Sequence, residues 1–345
     1  MISVPALTMS AAINQALREE MRRDERVIVL GQDVGLFGGA FLVTRGLIEE
    51  FGPERVRDMP ISEAAIIGCA VGAALLGWRP VAEMQYSDFV TCGFDQIANQ
   101  AAKIHLMSGG QATVPMVLRL PIGAIEHGAQ HDQSPEAWFV HTPGLKVVIP
   151  STPSDARGLL KAAIRDDHPV VFCEHKALYG TKSVGGRAGD EPMIEPEDTA
   201  EMTDPDDAPI PLGLADVKRK GADVTVVATA LMVHRALEAA DQLAKVGISL
   251  EVIDPRTLVP LDLNTILASV EKTGRAVVVT EEARTGGAGA EISARISEDG
   301  FSLLDSPVAR LGAADVPLPF SGPVQQALLP SVADIATACR RLVRR

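Results

Sequence analysis

The sequence predicts two α/β domains, each a mostly parallel sheet flanked by helices, joined by an exposed linker. Three observations predict it. Short apolar runs alternate with helix-length amphipathic stretches in both halves of the chain. The length of 345 residues suits two domains. Between the halves, Thr181–Gly213 holds nine acidic residues, two basic ones and five prolines, a net charge of −7 within a chain total of −13. Such a stretch buries no core, and its prolines oppose regular structure. Domains are therefore expected at 1–180 and 214–345, with 181–213 as the linker.

The elements follow in order. A helix is expected over Ser10–Arg23, then a strand at Arg26–Gly31 (RVIVLG), a helix over Ala64–Gly77 and a strand at Pro80–Tyr86. A helix over Phe94–Met107 precedes strands at Val114–Leu120 and Leu145–Pro150. A helix over Ser154–Asp166, with Ser154 as its N-cap, leads to a strand at Pro169–Cys173. Past the linker, strands are expected at Val224–Ala228, Leu250–Ile253, Ala276–Thr280 and Val308–Leu311. In Met232–Val246 the residues Val233, Ala236, Leu237, Ala240, Leu243 and Ala244 follow the three-four spacing of one helix face.

Composition excludes several classes. With 46% hydrophobic and 22% charged residues the chain is too apolar for disorder. Its net charge of −13 disfavours nucleic acid and anionic membranes as partners. The longest apolar run, Ala64–Trp78, is too short for a membrane span. The N-terminus (MISVPALTMS) lacks a basic start followed by an apolar stretch. Cys69, Cys92, Cys173 and Cys339 lie far apart with no zinc spacing, which fits a thiol-reducing compartment. The cytoplasm is the expected location.

Four segments attract chemical interest. The glycine-rich stretch Gly31–Gly39 follows a strand, but it is neither G-x-G-x-x-G nor a G-K-[ST] loop, and it reads as a flexible connection. His127 and His131 have the spacing of a helical metal pair, with Glu126 and Asp132 nearby. Gly123 and Gly128 argue instead for a loop at a strand end, where α/β sheets present ligand-contacting groups. Glu63 starts a helix of small apolar residues; it is either a first-turn dipole partner or a carboxylate whose apolar setting lets it share a proton with a buried base. That helix contains Gly68, Gly72 and Gly77, each costing up to about 1 kcal/mol relative to alanine, so close backbone approach is expected, within the domain or between subunits.

Ordered motifs run along nearly the whole chain outside the linker: Asp58-Met-Pro-Ile-Ser-Glu63, Ala70-Val-Gly-Ala-Ala74, Phe94-Asp-Gln-Ile97 and Ala101-Ala-Lys103. Met107-Ser-Gly-Gly110, Gly128-Ala-Gln-His131, Pro143-Gly-Leu-Lys-Val-Val148 and Lys161-Ala-Ala-Ile-Arg-Asp166 follow. Val252-Ile-Asp254, Arg256-Thr257 and Asp315-Val-Pro317 extend the series. Together they resemble the β subunit of the thiamine-diphosphate-dependent decarboxylating component of 2-oxo acid dehydrogenase complexes.

The resemblance implies a transketolase-like pyrimidine-binding domain followed by a transketolase C-terminal domain. It implies oxidative decarboxylation of a 2-oxo acid and acyl transfer to lipoyl-lysine. Glu63 matches the glutamate that hydrogen-bonds the cofactor's pyrimidine nitrogen, a contact favouring the imino tautomer that takes the thiazolium proton. Ile61, Gln85 and Phe89 match positions lining the aminopyrimidine, and His131 matches the active-site histidine near substrate and acyl transfer. Ala163, Ile164, Asp166 and His168 match a loop holding a structural monovalent cation, potassium.

The chain has no Gly-Asp-Gly motif. Magnesium and the diphosphate are therefore expected to be held mainly by an α subunit, in an α2β2 tetramer that serves a lipoyl acyltransferase component. Asp132 stands where the family usually has serine, an extra carboxylate expected to raise the pKa of His131 or repel an anionic substrate. Leu120 replaces a usual glycine. Met107–Gly110 and Asp315–Phe320 look pyruvate-type. Gln85, Gln32–Gly35 and Gln133–Glu136 look branched-chain, and Asn99–Lys103 and Phe172–Lys176 acetoin-type, so pyruvate is the first choice among three. A non-catalytic subunit of the same fold is the alternative from another class.

Overall fold

The apolar runs of the first half become strands buried along their length, as runs without polar alternation must be when both sheet faces are covered. The computed structural model describes residues 8–180 and 208–344, so most of the acidic linker lies outside the described residues. One compact unit comprises the chain up to Ile122 together with Trp138–Leu212; the other comprises Gly123–Ala137 and Gly213 onward.

The first unit begins with α1 (Met9–Arg23), β1 (Val27–Gly31), α2 (Leu47–Phe51), β2 (Val56–Asp58), α3 (Glu63–Leu75) and β3 (Arg79–Glu83). A 3₁₀ turn at Ser87–Gly93 and a π-turn at Gln96–Ala101 precede α4 (Ile104–Met107) and β4 (Val117–Ile122). After α5 (Glu136–Val140) come β5 (Lys146–Val148), α6 (Pro153–Arg165) and β6 (Val170–His175). Six strands of this unit run in the order β5-β6-β4-β3-β1-β2, all parallel. From β1, next to the β2 edge of the sheet, the chain pairs β2 on one side and β3 on the other. The connections diverge there, the arrangement at which α/β sheets leave a crevice beyond their C-terminal strand ends.

The second unit holds β7 (Asp216–Arg219), β8 (Val224–Ala228), α7 (Leu231–Ala244), β9 (Leu250–Asp254) and β10 (Thr257–Val259). Then follow α8 (Leu263–Thr273), β11 (Ala276–Ala283), α9 (Ala288–Asp299), β12 (Ala309–Ala313), α10 (Gly322–Leu328) and α11 (Val332–Val343). Its sheet runs β12-β11-β8-β9-β7, parallel except for β7 against β9. Among the described residues no helix is long and apolar enough to cross a membrane. The four cysteines are free thiols; burial pushes that of Cys339 up to about 12.

Two local expectations are corrected. The helix expected over Phe94–Met107 is broken into a π-turn and the short α4. The widening lies where Gly144 passes so close that a Cβ there would meet the Ala102 carbonyl oxygen at 2.0 Å. The helix expected to be capped by Ser154 is capped two residues earlier, by Thr152, whose hydroxyl accepts the Asp155 N–H at 3.1 Å. Proline at the first helical position, Pro153, fits there because its missing N–H would have had no partner.

Candidate active site

Glu63 opens α3, which buries Ile66, Ile67, Ala70, Val71 and Ala74 in the first unit. The 3₁₀ turn closes on this helix at Gly93, where a Cβ would come within 3.1 Å of the Glu63 carbonyl oxygen and 2.6 Å of the Ile67 side chain. Glycine permits that approach, and it sets the segment leaving β3, with Gln85 and Phe89, against the helix that Glu63 begins. The Gln85 amide donates to Asp33 at 3.1 Å. The half-buried Phe89 ring stands edge-on to Tyr86, 5.9 Å between centroids. Ile61 is 77% exposed. These four residues follow the C-terminal ends of β2 and β3, the crevice side of the sheet. Glu63 is half-buried with Ala64 and Ala65 exposed beside it, so the described residues of this chain alone do not enclose its carboxylate in apolar surroundings.

A buried charged cluster that sequence reasoning missed joins β3, β4 and β6. Arg119 on β4 pairs with Glu83 at the end of β3, and donates to both oxygens of Glu174 on β6 at 2.7 Å. The Tyr179 hydroxyl donates to Glu174 at 2.6 Å. All four side chains are buried. Burial pushes the Glu83 carboxyl up, and Glu174 adds to this while Arg119 opposes it. Burial alone would lower the pKa of Arg119, but Glu174 and Glu83 outweigh it and keep the guanidinium charged. The readable signal was one charge within or just beyond each of three apolar runs.

The glycine-rich stretch after β1 is built around a carboxylate. The Gly35 N–H donates to Asp58 Oδ1 at 2.6 Å, and a Cβ at Gly35 would meet Oδ2 at 2.5 Å. The N–H that a phosphate cradle would need is already taken by a carboxylate, which supports the reading as a connection.

His131 lies in the loop Gly123–Gln133, which packs within the second unit. The Gly123 N–H closes the loop on the Gln133 carbonyl at 3.1 Å. Ala124 is buried against Ala313, Leu329 and Leu318, and its N–H donates to Glu281 at 2.7 Å. At the far end Glu282 accepts the Gly289 N–H at 2.9 Å. Burial pushes the Glu282 carboxyl up to about 7, against the opposing hydrogen bonds from the N–H groups of Gly289, Ala288 and Ala137.

Asp132 corrects an expectation. Its side chain is fully buried, with Oδ1 accepting from the Ile125 N–H at 3.0 Å and Oδ2 from His127 and Gly128, both at 2.7 Å. The carboxylate is turned into the loop and is not presented to a substrate. His131 is half-buried, with its own N–H on the Gly128 carbonyl at 3.0 Å. The His127–His131 metal pair is not formed, since no group of three potential ligands is placed to hold a metal ion among the described residues.

The segment Ala163–His168 ends α6 and starts toward β6. The Arg79 guanidinium donates to the carbonyls of Ile164, Arg165 and Asp166 at 2.9, 2.7 and 3.3 Å, and to the Asp167 carboxylate at 2.8 Å. The Asp166 carboxylate accepts from Lys146 and from the His168 N–H at 2.9 Å and ring at 3.1 Å. Burial opposes the shift, but the Lys146 and His168 hydrogen bonds hold Asp166 below the usual carboxylate range. Two of the four expected oxygens thus already face a cation, the guanidinium. A monovalent ion would use the second lone pairs of these carbonyls.

Comparison with known proteins bears on the whole chain. The family described as transketolase, pyrimidine-binding domain matches residues 5–182, and transketolase, C-terminal domain matches residues 213–335. The 2-oxoisovalerate dehydrogenase subunit beta of Bacillus subtilis is 46% identical over 333 residues, covering 96% of this chain and 97% of that protein. The mitochondrial pyruvate dehydrogenase E1 component subunit beta-2 of Oryza sativa is 46% identical over 336 residues, covering 97% and 86%. A solved split-gene transketolase, described as an inactive β4 tetramer, shares the fold with a TM-score of 0.76 at 23% identity, over 98% of this chain and 99% of that one. With both transketolase domains matched in order, and relatives of this identity aligned almost end to end, the chain belongs to the family of β subunits of the decarboxylating component of 2-oxo acid dehydrogenase complexes.

Proposed function

We propose that this chain is the catalytic β subunit of a thiamine-diphosphate-dependent 2-oxo acid dehydrogenase, acting on pyruvate and passing the acyl group to lipoyl-lysine. The observation that carries the reading is Glu63, at the start of a helix against which the Gln85–Phe89 segment is packed through Gly93. A carboxylate, an amide and an aromatic ring suit an aminopyrimidine, which offers ring nitrogens to donors, an amino group to acceptors and a π face to stacking. When bound, thiamine diphosphate supplies the electron sink for decarboxylation. Glu63 holds the proton at the pyrimidine ring nitrogen, Gln85 and Phe89 orient the ring, and Ile61 excludes water. His131 serves acyl transfer.

The partner is an α subunit in an α2β2 assembly, which brings the magnesium and diphosphate site and feeds a lipoyl acyltransferase component. The exposed side of α3 supports this reading. A Cβ at Gly72 would have nothing within 4 Å, and at Gly68 only Gln96. Ala65 and Cys69 are exposed on the same helix, leaving a smooth face for another backbone. Potassium at Ala163, Ile164, Asp166 and His168 is an accessory ion, secondary to Arg79.

Branched-chain 2-oxo acids are the second reading, favoured by the Bacillus relative. The test is reconstitution with the α subunit, magnesium and thiamine diphosphate, offering pyruvate, branched-chain 2-oxo acids and acetoin with a dye acceptor. Pyruvate turnover should exceed the others, the lone chain should be inactive, and Gly72→Leu should hinder assembly. Turnover of pyruvate by the lone chain at the rate of the complex would sink the two-subunit reading.

A further inference from the structure

Four successive N–H groups in the His131 loop turn inward. Those of Ile125, His127 and Gly128 end on Asp132, and that of Glu126 ends on Gln325 Oε1 at 2.9 Å. Gln325, on α10, is fully buried and donates to Asp132 Oδ2 at 2.8 Å and to the Pro319 carbonyl at 3.1 Å. Consecutive N–H groups form a concavity that attracts an anion, and here the chain's own carboxylate fills it. A serine hydroxyl in its place has two lone pairs and could not take all four donors. The loop also keeps Glu126 at φ +66° and Gly128 at φ +88°, and such left-handed turns persist where surrounding bonds over-determine them.

His131 immediately precedes Asp132, and its own N–H is tied to the Gly128 carbonyl inside the same turn. We propose that Asp132 and Gln325 form a clamp that positions His131 for acyl transfer, so that a residue on α10 fixes where the imidazole stands. Both are positioning residues, and the inference rests on the role of His131 proposed above. The clamp converts the hydrogen bonds of two buried side chains into a single loop conformation. Losing it frees the turn by an ångström or more, enough to cost about 10²-fold when a reacting group is displaced.

The test uses the assembled complex. Asp132→Asn points an NH₂ at N–H groups that need an acceptor, and should slow acylation of a lipoyl substrate by about 10–100-fold with KM for the 2-oxo acid unchanged. Diethyl pyrocarbonate modification of His131, followed by peptide mass spectrometry, should change in rate about tenfold, the factor for one lost charged hydrogen bond. Gln325→Leu breaks the clamp from the other side and should produce the same two changes, which keeps the test open should Asp132→Asn not fold. Variants that lose stability yet transfer acyl groups and modify at wild-type rates would overturn the clamp. A wild-type complex that acylates nothing would instead sink the proposed function, while the modification rate still decides the clamp.

Discussion

Gln325 donates to Asp132 at 2.8 Å across 193 residues of sequence, and the pair takes up every N–H from Ile125 to Gly128. Asp132→Ala would leave three of those donors without their acceptor. The expected loss is about 2–5 kcal/mol, since a buried unsatisfied donor costs about 1–3 kcal/mol and neighbouring losses are shared. Urea unfolding measures it; a loss below about 0.5 kcal/mol, the usual range for a surface change, would mean the loop finds other partners.

Glu63→Gln keeps the shape of the side chain and removes the acid. The assembled complex should bind thiamine diphosphate and retain its melting temperature while turnover falls about 10²–10⁴-fold. Near-normal turnover with cofactor bound would remove Glu63 from the mechanism.

Glu282 holds its proton up to about pH 7 in the folded chain, against an ordinary value of 4.5. The folded state therefore binds more protons in this window, and stability from this group is full below about pH 4.5 and lost as pH rises through about 7. The difference amounts to about 3 kcal/mol. Relative to Glu282→Gln, which has no proton to lose, the wild type should weaken between pH 5 and 8 in urea titrations. A constant difference across that range would show that Glu282 is ionised throughout.

Arg119→Met removes the cation that pairs with both Glu83 and Glu174. Breaking a buried pair from one side costs about 3–5 kcal/mol, because the remaining charges stay buried without compensation. Glu83, which burial already pushes up, would then lose the cation that opposes this and take up a proton on folding, so the variant should recover part of its stability at acid pH. Equal destabilisation at pH 5 and pH 8 would place the cost in packing alone.

The regular elements were legible where one force dominates. Val224–Ala228 is an apolar run broken only by Thr225 and forms β8 with those bounds, and the three-four spacing around Val233–Leu243 marks α7. The short strands β2 and β7 were not read. Val56–Asp58 buries one residue of three and Asp216–Arg219 is half-buried throughout, so neighbouring strands decide their pairing. At the site, the residues matched by resemblance could be named, but the work of Asp132 could not. A carboxylate beside a histidine reads as an electrostatic neighbour, and only folding reveals that it faces its own backbone, with a partner on a distant helix. Arg79 was hidden in the same way: nothing beside it in sequence marks the carbonyls of Ile164–Asp166 as its acceptors.

The segment Gly123–Ala137 is encoded with the first half of the chain but folds with the second. The acidic stretch near residue 200 therefore only resembles a clean joint for exchanging gene segments. A chimaera joining residues 1–180 of this chain to the C-terminal half of a relative would carry Asp132 into a body that must already offer an amide where Gln325 stands. One without it would meet the loop with an unmatched carboxylate. Recombination at the linker is thus filtered by a single carboxylate–amide match, and positions 132 and 325 are expected to be inherited together.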